Sequence, residues 1–109
     1  MTEFSFRPDF KDVMDDVLLP IPGIKGGKAF GHVAYTVNGK IFCFVGTRSV
    51  MVKLPAKRVQ ALIAELPEAQ PFEANGIWKE WVTLTHDDAD DYRRHEDLFH
   101  ESLEYVSSK

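Results

Sequence analysis

The stretch from Pro20 to Tyr35, PIPGIKGGKAFGHVAY, sets glycines beside lysines, the composition from which phosphate-binding loops are made. A P-loop needs glycine five residues before its Gly-Lys pair, a hydroxyl directly after it, and a strand-to-helix context, so that backbone N–H groups at the helix start hold the phosphates. Here Pro22 precedes Gly27-Lys28 at that spacing, Ala29 stands at the hydroxyl position, and the stretch leads from a helix into a strand. No G-x-G-x-x-G spacing is present either, so no nucleotide-phosphate loop is expected. Of the histidines, His95 and His100 lie five apart and diverge around a helix, unlike the i, i+4 pair of H-E-x-x-H. Glu96 and His100 read as a surface pair. His86 beside Asp87 and Asp88 offers weak cation binding, but a helix start explains those acids without an ion, and no metal site is expected. Cys43, between Phe42 and Phe44, reads as a small buried hydrophobe with nothing nearby in sequence to lower its pKa. No G-x-S-x-G elbow occurs, and the acids of the last helix serve as cap and solvated face. No catalytic residue and no cofactor are expected. The remaining constellation is Trp81 with Lys53 and Lys79. If they share a sheet face they form an aromatic platform beside positive charge, which stacks bases or holds anionic partners. The plainer reading has Trp81 beneath a helix with the lysines snorkelling past it.

The elements that carry these residues follow from period and punctuation. Phe10, Val13, Met14, Val17 and Leu18 recur at helical spacing after Pro8, and Pro20 and Pro22 end that helix. A glycine-rich loop is expected next, its glycines turning the chain into the sheet and Phe30 anchoring the entry to the core. HVAYTV and KIFCFV flank Asn38-Gly39, the strongest short hairpin signal because a type I′ turn needs positive φ twice. SVMVKL is the third strand of this meander. Val59, Leu62, Ile63 and Leu66 mark a second helix between Pro55 and Pro67, PEAQPFEANG reads as an irregular connection, and WKEWVTLT as a fourth strand. Thr85 to Asp88 fits a Ser/Thr-x-x-acid helix start, and Tyr92, Phe99, Leu103 and Val106 form the stripe of a terminal helix. The expected fold is α+β: one domain over residues 1–109, a four-stranded antiparallel sheet with flanking helices in the order α-β-β-β-α-β-α.

Composition bounds the function classes. One hundred and nine residues with 44% hydrophobic content can bury one modest core, and no apolar run approaches the roughly 20 residues that span a bilayer. A single cysteine and a first segment without an apolar run lead to the expectation of a cytoplasmic protein with no membrane partner. The net charge of −4 is unevenly spread: seven cations and no acid from Lys25 to Arg58, eight acids against three cations from Asp87 to Lys109. Such asymmetry marks either an anion-binding face or the different solvating charges of hairpins and an acidic helix. An acidic chain argues against tight, autonomous nucleic-acid binding.

Read together, Lys28-Ala29-Phe30-Gly31, YTVNGKIFCFV, VMVKLPAKRVQALIAE, PFEANG and KEWVTL resemble the TfoX (Sxy) N-terminal-domain-like family, and are similar to the related YjbR-like (MmcQ) proteins, over most of the chain from about Lys25. Phe30, Gly31, Gly39, Lys40, Phe42, Lys53, Leu54, Trp81 and Val82 match the family's short motifs. The resemblance implies a secretion-chaperone-like α+β fold without cofactor or established catalysis, in a bacterial family that includes a regulator of competence acting with a transcription factor and proteins described as DNA-binding. Full-length TfoX has a second domain, and these 109 residues resemble the first. The expected function is therefore non-enzymatic protein–protein contact, with a role in transcriptional regulation. The contact surface is expected at Lys28, Lys40, Arg48, Lys53, Lys79 and Trp81. Weak direct DNA or RNA binding by the same face is the alternative, and a small-ligand site between the sheet and the last helix is a third reading. A homodimer is expected from an exposed sheet edge.

Overall fold

The computed structural model describes residues 7–29, 32–73 and 75–108, of which α1 (Pro8–Leu18), β1 (Ile24–Ala29), β2 (His32–Val37), β3 (Lys40–Val45), β4 (Val50–Lys53), α2 (Ala56–Glu65), β5 (Ala69–Glu73), β6 (Ile77–Leu84), a 3₁₀ helix (Ala89–His95) and α3 (Glu96–Ser107) are the regular elements. The chain is α+β as expected, but the sheet has six strands, in the order β1-β2-β3-β4-β6-β5, every neighbouring pair antiparallel.

Both added strands are at the edges. The glycine-rich stretch expected to be a loop is β1, paired in register with β2 from Ile24↔Val37 to Ala29↔His32. Gly26 and Gly27 are strand residues, and in the turn out of α1 the one glycine is Gly23, at φ 89°. Phe30 and Gly31 lie outside the described residues. The connection expected to be irregular contains β5, which tolerates Pro71 because it is an outer strand. Asn75 and Gly76, at φ 57° and 122°, turn it into β6, just as Asn38 and Gly39, at 52° and 76°, join β2 to β3.

One core lies between the sheet and the helices. Val33, Tyr35, Cys43, Val45, Val50, Val52, Val82 and Leu84 project from the sheet into it, to meet Phe10, Met14 and Leu18 of α1, Val59 and Leu62 of α2, and Leu98, Phe99 and Val106 of α3. A bulge in the β2–β3 ladder lets both Phe42 and Cys43 stay buried, and Ser102 Oγ of α3 donates to the Phe42 carbonyl at 3.3 Å. Helix α3 lies over β2, β3 and β4, and α2 over β5 and β6. Tyr35 ties the sheet to α1, its hydroxyl donating to the Asp15 carboxylate at 2.6 Å. Burial and that carboxylate push the Tyr35 phenol well above its ordinary value of 10.0.

The start of the terminal helix differs from expectation. Thr85 does not cap it. Its hydroxyl is 2.8 Å from that of Ser49, and the Asp88 carboxylate accepts from the Asp90 N–H at 3.0 Å to open a 3₁₀ segment before α3. Tyr92 in that segment explains the detour. Its ring packs edge-on against Phe10, while its hydroxyl accepts from the His86 N–H at 3.0 Å and donates to the Leu84 carbonyl at 3.1 Å.

Candidate functional site

A strand alternates its side chains between faces, so the residues that skip the core share the other side of the sheet. Register sets Ala34 beside Phe44, Phe44 beside Met51, Met51 beside Thr83 and Lys53 beside Trp81, and none of these belongs to the core. Ala34, Phe44, Met51, Thr83 and Trp81 line, with Ile41, Phe72 and Trp78, a trough of about 1040 Å³ to which no described helix contributes a residue. Its floor is an aromatic chain. Phe44 is 5.1 Å from Trp81 and 5.4 Å from Phe72, ring centre to ring centre, and Phe72 meets Trp78 edge-on at 5.4 Å. At one end Trp78 remains 43% exposed. Arg48, His32, Gln70 and Glu73 supply polar groups to the lining. Such a surface binds by apolar contact and ring stacking, with a few polar groups to orient what it holds.

The expected contact residues divide over this frame. Trp81 is only 8% exposed, yet no described helix lines its side of the sheet: Phe44 and Phe72 on the open face pack against it. Lys53 is its cross-strand partner, Arg48 reaches the trough from the β3–β4 turn, and Lys79 is exposed two residues before Trp81. Lys28 and Lys40 do not join them. They pair with Val33 and Val37, core-facing residues, which directs both to the helix side of the sheet. Lys28 is also four strands from β6, about 19 Å across the sheet. The space between the sheet and α3, where a ligand site was a third expectation, is occupied by Phe42, Phe99, Ser102 and Val106, all buried. Cys43 lies on that side too, and burial drives its thiol pKa upward, away from the reactive thiolate.

A second cluster lies at the far end of β5 and β6. Glu68 directly precedes β5 and its carbonyl accepts from the Thr85 N–H at 3.1 Å, which extends the β5–β6 ladder to the residue before His86. There His86 Nε2 is 2.8 Å from His95 Nε2 of the 3₁₀ helix, and the Glu68 carboxylate is 3.8 Å from the first and 3.5 Å from the second. The two ring centres are 5.0 Å apart with planes 24° from parallel, and the two Nε2 atoms are within hydrogen-bond distance, donor and acceptor being set by the tautomers. Burial and the neighbouring His86 hold His95 below its ordinary pKa. Behind His86 the Asp91 carboxylate is 3.9 Å from Nδ1, its other oxygen held by Arg94 at 3.1 Å. His100, by contrast, is exposed beside Glu96, as the helical spacing implied.

Sequence reasoning missed both Phe72 with Trp78 and this cluster. Asn75-Gly76 was a usable signal for the first, being the same dipeptide that revealed the β2–β3 hairpin. Nothing in the spacing of Glu68, His86 and His95 announced the second. No family model, curated protein or solved structure matches the chain.

Proposed function

We propose that the protein is a TfoX-like, non-enzymatic binding domain that docks a protein partner on the open face of its sheet, in the service of transcriptional regulation. One observation carries the docking reading: an aromatic trough of about 1040 Å³, lined by Phe44, Phe72, Trp78 and Trp81, without a helix over it among the described residues. Contiguous apolar surface of this kind is rare on a protein that works alone, and aromatic residues with arginine are enriched where partners bind. The fitting partner presents apolar side chains flanked by acids, the latter answering Arg48 and Lys53. The family assignment rests on the YTVNGKIFCFV and KEWVTL motifs.

The test is affinity capture from a native extract with the wild-type chain and with Trp78→Ala, at two salt concentrations, analysing protein and nucleic acid. A protein retained by the wild type at both salts and lost with Trp78→Ala supports the reading. Equal capture by both chains sinks it.

Exposed Trp78 next to Lys79 supports a second reading, in which single-stranded nucleic acid stacks on the same face. Its signature is nucleic acid captured at low salt and released steeply as salt rises, because each neutralised phosphate releases a counterion. Self-association through the trough is a special case of partner docking, and a light-scattering mass of one chain at high concentration excludes it.

A further inference from the structure

We propose that Glu68, His86 and His95 form a binding site for one divalent first-row transition-metal ion, with Zn²⁺ as the best-fitting occupant. The three donor atoms, His86 Nε2, His95 Nε2 and a Glu68 carboxylate oxygen, are mutually separated by 2.8, 3.5 and 3.8 Å. A circle through three points at those separations has a radius of about 2.0 Å, the bond length of Zn²⁺ to imidazole nitrogen and to carboxylate oxygen. One cation therefore reaches all three donors with the backbone as it stands.

With the two imidazoles hydrogen-bonded to each other, the carboxylate makes no hydrogen bond to either nitrogen, since 3.5 and 3.8 Å are too long for one. A bound cation takes the place of the ring-to-ring hydrogen bond, the rings turn to aim their lone pairs at it, and all three donors share one partner. Two nitrogens and one carboxylate favour Zn²⁺ and its first-row neighbours over Mg²⁺ or Ca²⁺, which take oxygen. Asp91, anchored by Arg94, stands behind His86 Nδ1 where zinc-bound histidines keep an orienting carboxylate. Three protein ligands leave a fourth position to solvent, which half-buried Glu68 and His86 admit. Bound there, the ion clamps the ends of β5 and β6 to the 3₁₀ helix, three segments brought together only by tertiary structure.

Calorimetric titration of chelator-treated protein with ZnCl₂ tests this. One ion per chain is expected, with affinity reduced at least about a hundredfold in Glu68→Gln and in His86→Gln, and unchanged in His100→Gln. A parallel thermal melt should show Zn²⁺ raising the midpoint of the wild type and of His100→Gln but not of Glu68→Gln, because a ligand stabilises only a fold that binds it. Glu68→Gln keeps side-chain shape, and its melt without metal reports directly that the chain is folded. Co²⁺ substitution adds a visible spectrum that reads nitrogen and oxygen ligation. No heat of binding in the wild type, or Zn²⁺ bound equally well by wild type and Glu68→Gln, overturns the proposal. So does binding lost in His100→Gln but kept in the other two.

Discussion

The two faces of the sheet are made of the same kinds of residue and have different fates. On β3, Phe42 and Val45 point toward the helices and are fully buried, whereas Phe44 points away and is half-buried by other aromatic side chains. On β6, Val82 and Leu84 meet the helices, while Trp81 joins the open trough. Apolar character therefore does not distinguish a core face from an open face here. Coverage does: α1, α2 and α3 spend their apolar stripes on one side, and the other side keeps large side chains that folding alone does not require to be so large.

If that distinction holds, truncation on the helix side should damage the fold and truncation on the open side should not. Phe99→Ala removes a fully buried ring of α3 and is expected to cost about 3–5 kcal/mol in urea unfolding. A cost below about 1 kcal/mol would break the comparison at its strongest point. Tyr35→Phe deletes the hydrogen bond to the Asp15 carboxylate, with an expected loss of about 1.5–3 kcal/mol. Its pH dependence follows from the raised phenol pKa. The folded state keeps the proton more tightly than the unfolded one, so the contribution is complete below pH 10.0 and fades as pH climbs beyond it. Alkaline titration of stability should therefore fall more steeply for the wild type than for Tyr35→Phe.

The edge strand allows a finer test. A methyl at Gly26, opposite Tyr35 on the helix side, meets Leu19 Cδ2 at 3.5 Å and Tyr35 Cε1 at 3.7 Å, whereas one at Gly27, opposite Ala34, meets nothing within 4 Å. Both Gly→Ala changes are expected to stabilise by roughly 0.4–1 kcal/mol through the unfolded chain, Gly26→Ala the more because its methyl is also packed. The reverse ranking would contradict the assignment of faces. Smallest of all, Trp78→Ala should shift unfolding free energy by no more than about 0.5 kcal/mol while removing partner capture. A large stability loss there would make Trp78 a core residue.

What could be read from the sequence was local. Helical stripes in α1, α2 and α3, and the Asn38-Gly39 turn, are decided by residues within a few positions of one another, and each is present. Edge strands are decided elsewhere: β1 has two adjacent glycines and β5 has a proline, so neither shows alternation, and each exists because an inner strand supplies its hydrogen bonds. The same reason hid the sites. Phe42, Phe44 and Trp81 were visible as apolar, but alternation does not say which face the helices will occupy. Glu68, His86 and His95 converge only after β5 and β6 pair and the 3₁₀ helix folds back over their ends. The plainer reading of Trp81 was right about its burial and wrong about what buries it.

The two outer strands also set how this molecule behaves when crowded. An extra strand adding to β1 would meet the glycines 26 and 27, with no side chains to grip, and the charges of Lys25 and Lys28. One adding to β5 would meet Pro71, which has no N–H to give. Edge-to-edge growth into fibres is thus disfavoured at both ends, even though an aromatic surface is left bare. The bare aromatic surface faces along the normal to the sheet, whereas sheets propagate in their own plane, so a partner on that face would not continue the ladder.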